Sequence, residues 1–152
     1  MKPTLGIDIG RVIIDGDGAD TDFLKEFDDE RAMQAPQMAH AFDVIKRLTG
    51  VFDGRVWIVS KCGPNMQRKS QKWLYHHGFF KQTGVSEDRL RFCLRRHEKA
   101  PICAEVGITH FVDDREDVLS HMVGIVPHRF LFVRNWVETE VAILRTLAGS
   151  VS

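Results

Sequence analysis

Apolar residues gather along this chain in five short runs, separated by longer segments in which they recur every three or four positions. The runs are Thr4 to Ile9, Arg55 to Val59, Arg89 to Leu94, Thr109 to Val112 and Arg129 to Val133. Runs of that length, rich in β-branched and aromatic residues, read as strands. Between them, Met66, Ser70, Trp73, Leu74 and His77 fall on one side of a helix that Gly78 stops. Pro101 suits a first helical turn, and Gly107 closes the short helix carrying Ile102, Cys103 and Val106. Val137, Val141, Leu144 and Ala148 trace another apolar stripe, ended by Gly149. Strands alternating with helices predict a parallel sheet joined by crossovers. The expected fold is therefore α/β, a three-layer Rossmannoid with a central parallel sheet of about five strands and helices on both faces.

The stretch from Asp15 to Pro36 breaks the alternation. It carries eight acids (Asp15, Asp17, Asp20, Asp22, Glu26, Asp28, Asp29, Glu30) against Lys25 and Arg31. A solvated loop with one short helix fits it, as does a small flap inserted over residues 15–37. Asp15, Asp17 and Glu26 occupy positions 1, 3 and 12 of a calcium loop, but Asp20 stands where the turn glycine belongs and a strand precedes it. That mismatch argues against calcium.

Composition changes the picture only by exclusion. At 152 residues, 43% hydrophobic and 28% charged, the chain is expected to form one domain over 1–152 around a single core. Its 21 basic residues balance 21 acidic ones, so no nucleic-acid or anionic-membrane surface is expected. Cys62, Cys93 and Cys103 are odd in number, lie in or beside apolar segments and form no CxxC, which reads as reduced buried thiols. No apolar stretch approaches the roughly 18 residues of a membrane span, and no targeting pattern precedes the first strand. A cytoplasmic protein is expected.

In an open parallel sheet ligands bind outside the carboxyl ends of the strands, which directs attention to the polar residues placed there. Asp8 interrupts the first apolar run, Ser60 and Lys61 follow Val59, and Asp113 and Asp114 follow Val112. Lys99 precedes the Pro101 helix. A carboxylate buried at a strand end is costly without a cation or hydrogen bonds, and two adjacent aspartates repel each other. Magnesium resolves that conflict, since it takes a few carboxylates together with waters and phosphate oxygens. Each residue also has an ordinary reading: Ser60 as a strand-end turn residue, Lys99 as a solvated lysine, Asp114 as the cap of a helix whose first turn holds Glu116 and Asp117. Trp57, Trp73 and Trp136 read as packing residues before base-stacking ones. It is the ordered constellation that points to phosphoryl transfer by an aspartate nucleophile with a metal, a hydroxyl and a lysine.

These segments resemble the four ordered motifs of the haloacid-dehalogenase-like superfamily of phosphatases and phosphotransferases, over nearly the whole chain. The resemblance implies that Asp8 is the nucleophile, Ser60 the second-motif hydroxyl, Lys99 the third-motif lysine and Asp113-Asp114 the acidic fourth motif. It implies catalysis by Asp8, Ser60 and Lys99, substrate binding by Ser60, Lys61 and Lys99, and a Mg2+ held by Asp8, the Gly10 carbonyl, Asp113 and Asp114, with Asp117 as a further support. Lys69, Trp73 and Leu74 after Ser60, and Arg115 after the double aspartate, are also similar to the deoxyribonucleotidase branch, so the implied substrate is a small, nucleotide-like phosphomonoester. The segments 13–38 and 61–90 leave room only for a small cap or none. Gly6-Ile7-Asp8-Ile9-Gly10 also looks like the phosphate hairpin of sugar kinases, but the continuation Arg11-Val12 and the short chain do not fit.

Gly10 departs from the pattern, because phosphatases of this kind place a second, proton-transferring aspartate there. Its absence keeps a second expectation open: a catalytically silent domain that binds phosphate or metal. Asp15, Asp17 or a histidine of the pair His76-His77 could replace the missing acid, and spacing favours none of them.

Overall fold

The computed structural model describes residues 2–16 and 28–148, and within them every apolar run contributes a strand. These are β1 (Leu5–Ile7), β2 (Val56–Lys61), β3 (Leu90–Cys93), β4 (His110–Asp113) and β5 (His128–Leu131). They form one sheet in the order β3-β2-β1-β4-β5, and every neighbouring pair is parallel. Side chains of successive strand residues point to opposite faces. Leu5, Ile7, Val56, Ile58 and Val112 accordingly enter one apolar cluster, while Val59 and Phe111 enter another.

Seven helices are present among the described residues: α1 (Asp29–Ala32), α2 (Ala41–Val51), α3 (Pro64–His76), α4 (Phe79–Thr83), α5 (Lys99–Val106), α6 (Glu116–Ser120) and α7 (Trp136–Ala148). The first cluster is completed by α2, α3, α4 and α7 through residues such as Ile45, Leu74, Phe79 and Ile143. The second is completed by α5 and α6 through Ile102, Cys103, Val118 and Leu119. Helices thus cover both faces of the sheet, the three-layer Rossmann-like arrangement that strands apolar on both sides require.

Local signals explain several boundaries. Pro64 opens α3, and Gly78 (φ +67°) and Gly107 (φ +75°) take the left-handed conformation that follows a helix end. Gly6 answers a different demand, since a Cβ there would lie 2.5 Å from the Phe111 ring and 2.9 Å from Ile108. Trp73 and Trp136 are buried, with their indole N–H groups donating to the carbonyls of Ala35 (2.8 Å) and Val12 (2.7 Å). They are packing residues, as expected. The three cysteines are free and buried. No helix of the described residues is long and apolar enough to cross a membrane.

The apolar face of α7 differs from expectation. Val137, Val141 and Leu144 are exposed, and Trp136, Thr139 and Ile143 turn inward instead. Both sets have helical spacing, so periodicity alone cannot choose between them. Packing decides: Trp136 bonds to Val12, and the Arg47–Glu140 ion pair (2.8 Å) ties α7 to α2.

After β1 the chain turns back on itself. The amides of Val12, Ile13 and Ile14 all point to the Ile9 carbonyl, and Arg11 adopts φ +63°. Ile14 then bridges antiparallel to Gln37, with Asp15 N donating to Pro36 O and Met38 N to Ile13 O. This pairing forms the base of the segment expected as a flap. Within it, Asp17, Asp20, Asp22, Lys25 and Glu26 lie outside the described residues, whereas α1 is held to α3 by Arg68 and Lys72 on Asp29.

Candidate active site

The strand order reverses between β1 and β4, because the chain leaves β1 towards β2 and β3 on one side and returns to β4 and β5 on the other. The carboxyl ends of these two strands therefore border the crevice where such sheets bind ligands. Asp8 is the first residue beyond β1, and its amide continues the ladder onto Val112 O (3.1 Å). Asp113 is the last residue of β4. The parallel register that pairs Ile7 with Val112 brings the two carboxylates side by side.

Lys99 joins them from the start of α5. Its Nζ donates to Asp8 Oδ1 (2.9 Å) and to Asp113 Oδ2 (2.7 Å), and the lysine is 0% exposed. The second oxygen of Asp113 accepts from the Arg115 amide (3.0 Å), so this carboxylate is fully engaged in holding Lys99 and the turn after β4. Asp114 lies beside the pair, with Arg11 Nε 3.7 Å from its Oδ2. Two buried carboxylate oxygens, Asp8 Oδ2 and Asp114 Oδ1, have no hydrogen-bond partner.

Charge in this cluster is unbalanced. Burial, and then the neighbouring Asp113, push the Asp8 carboxyl well above the ordinary carboxylate range against the pull of Lys99. Burial and Asp113 likewise push Asp114 up to about 6, against the pull of Arg11. For Lys99 burial opposes the charge, yet Asp8 and Asp113 outweigh it and hold the ammonium above its usual range. One shared lysine thus satisfies Asp113 and half of Asp8 and leaves negative charge in excess. Asp8, Asp113 and Asp114 each offer an oxygen within 4.8 Å of the others. An all-oxygen donor set with two unpartnered carboxylate oxygens fits a hard divalent cation such as Mg2+.

The remaining expected residues fall around this centre. Ser60, 1% exposed, and Lys61 end β2, the strand beside β1. Gly10 is buried in the turn after β1 and bridges Ile14. Asp117 is directed elsewhere, since it accepts from Arg115 Nε and Nη2 (3.0 and 3.1 Å) and is half exposed. Of the replacement acids, Asp15 is paired with Arg134 (2.6 Å), and His77 stacks on Trp73 and bonds the Met33 carbonyl (2.7 Å). Asp17 lies outside the described residues.

Two clefts lie at this end of the sheet, and the first includes Asp114 in its lining. One, of about 340 Å³, is lined by Arg11, Asp114, Arg115, Phe132, Val133 and Arg134. The other, of about 400 Å³, is lined by Lys61, Leu94, Arg95, Arg96, His97, Asp117 and His121. Apart from Arg115, which follows the double aspartate in the family resemblance, these arginines and histidines had no role in the sequence pattern, because they come from separate segments that meet only through the fold. Arg11 and Arg115 carried the one local signal, their place immediately beside the site aspartates. No protein-family model matches the chain, and no match is found among curated proteins.

Proposed function

We propose that the chain is a haloacid-dehalogenase-like, magnesium-dependent phosphohydrolase that acts on a small phosphomonoester through Asp8. The observation that carries this reading is the pair of buried, unpartnered oxygens on Asp8 and Asp114, set beside a lysine too short of charge to neutralise the cluster. Asp8, Asp114 and the Gly10 carbonyl would hold Mg2+, which when bound neutralises charge on the phosphoryl oxygens. Lys99 favours the ionised form of Asp8 and orients it, and Asp113 positions Lys99. Ser60 and Lys61 supply a hydroxyl and an ammonium to the non-transferring phosphoryl oxygens.

In the first step an Asp8 oxygen bonds to phosphorus as the ester oxygen departs with its electron pair. Water then attacks phosphorus, releasing inorganic phosphate and restoring the carboxylate. Gly10 offers no proton for the departing oxygen, so the proton comes from solvent. General acid–base assistance is worth roughly 100-fold to 10,000-fold, and the enzyme is accordingly slow on alkyl esters and best with good leaving groups.

Gly10 also favours a second reading, a phosphate- and metal-binding domain without turnover. Hydrolysis of an aryl phosphate, with magnesium or with chelator, separates the two. Magnesium-dependent turnover lost in Asp8→Asn supports the hydrolase. An inert parent that gains activity as Gly10→Asp supports the binding domain, and turnover unchanged in Asp8→Asn removes Asp8 from the chemistry.

A further inference from the structure

The cleft lined by Lys61, Arg95, Arg96, His97 and His121 lies at the same carboxyl edge of the sheet as the proposed site, since Lys61 ends β2 and Arg95 follows shortly after β3. Lys61 follows Ser60. Arg95 to His97 run straight into Lys99, whose ammonium lies on Asp8 and Asp113. Asp117 and His121 follow Asp114 on and just beyond α6. Along the chain the cleft residues stand one residue from Ser60, two to four from Lys99 and three to seven from Asp114.

The lining carries three permanent cations and two imidazoles against one carboxylate, and that carboxylate is already held by Arg115. The whole chain has zero formal charge, which makes this concentration a local property. Its ligand is therefore an anion. Among the described residues no tryptophan, tyrosine or phenylalanine lines the cleft, so it lacks a row of large aromatic stacking surfaces. Single-stranded nucleic acid depends on such stacking.

We infer that this cleft is a second anion subsite, and that the substrate is a small phosphoester carrying a second phosphate, one phosphate set at Asp8 and the other among Arg95, Arg96, His97 and His121, with Lys61 between the two. This assignment rests on the reading of the Asp8 site as a phosphoryl site. It also offsets part of the rate lost without an acid at Gly10, since binding energy at a remote phosphate holds the reacting phosphate in line.

The test uses the full chain as Asp8→Asn with magnesium, titrated with butyl phosphate and with diol bisphosphates from ethane-1,2-diol to hexane-1,6-diol. Calorimetry gives affinities, and the ring resonances of His97 and His121 report where the second phosphate sits. At least one bisphosphate should bind about tenfold tighter than butyl phosphate and shift both ring resonances, which butyl phosphate leaves in place. In the further double substitution Arg95→Ser, His97→Gln that advantage should fall to about twofold with butyl phosphate affinity unchanged. The inference is overturned if no bisphosphate outbinds butyl phosphate, if the rings do not respond, or if the advantage survives the double substitution. Aryl phosphate turnover by the parent reports on the hydrolase reading independently, so either idea can fail while the other stands.

Discussion

Lys99 shows how much can depend on a single buried side chain. It is the cation shared by Asp8 and Asp113, and it is wholly enclosed. Removing one partner from a buried ionic group costs about 3–5 kcal/mol, because the charges left behind have no compensation. Lys99→Met should destabilise by that amount in urea unfolding, and magnesium should restore more stability to this variant than to the parent. That Asp8, Lys99, Asp113 and Asp114 would gather at one end of the sheet was legible in the sequence, because each stands where an apolar strand ends or a helix begins. The partition of labour among them was not legible. That Asp113 engages both its oxygens while Asp114 leaves one unpartnered depends on the Arg115 amide and on where Lys99 enters, which only the folded chain decides.

At the scale of elements, strand contacts set the tolerances. The ring of Phe111 on β4 occupies the space beside Gly6 on β1, so Gly6→Ala should cost about 1–3 kcal/mol through overpacking. Gly50 is the contrast: it lies near the end of α2, with nothing within 4 Å of an added Cβ, and Gly50→Ala should stabilise by about 0.5–1 kcal/mol. Chemical denaturation of the two variants checks both signs. Another contact makes stability depend on pH. His110 on β4 stacks on His128 of β5 (4.5 Å) and bonds Thr109 and Thr146 (2.7 and 2.8 Å). Burial, and then His128, lower its pKa from 6.5 to about 4. Between those values the unfolded chain binds the proton and the native one does not, so this contribution is intact above pH 6.5, is lost as pH falls and levels off below pH 4. The loss is on the order of 3 kcal/mol, and unfolding measured across this range should show a shallower dependence in His110→Gln. The strands could be read from their apolar runs, whereas the inward face of α7 could not, since two sets of residues share its period and Trp136 alone breaks the tie.

For the whole molecule, the cation proposal makes stability a binding measurement. A ligand that binds only the native state adds about 2.7 kcal/mol at 100 times its Kd. Thermal unfolding should therefore move upward with magnesium and return with chelator, and Asp114→Asn should lose the response while still folding. An unresponsive parent would exclude a tight site at the carboxylate cluster. The α/β architecture and the ends of the sheet that matter follow from strand–helix alternation. The cationic cleft does not, because Lys61, Arg95–His97 and His121 are distant in sequence and join only when β2, β3 and α6 pack.

The pairing of Ile14 with Gln37 has a consequence for how such a chain can diversify. Residues 13–15 and 36–38 act as a shared doorway, with the entrance and exit of the intervening segment fastened together beside the cleft. Doubling the length of a segment whose ends are already joined costs only about 0.6 kcal/mol in closure entropy. Its cargo can be lengthened, shortened or exchanged with little strain on the sheet.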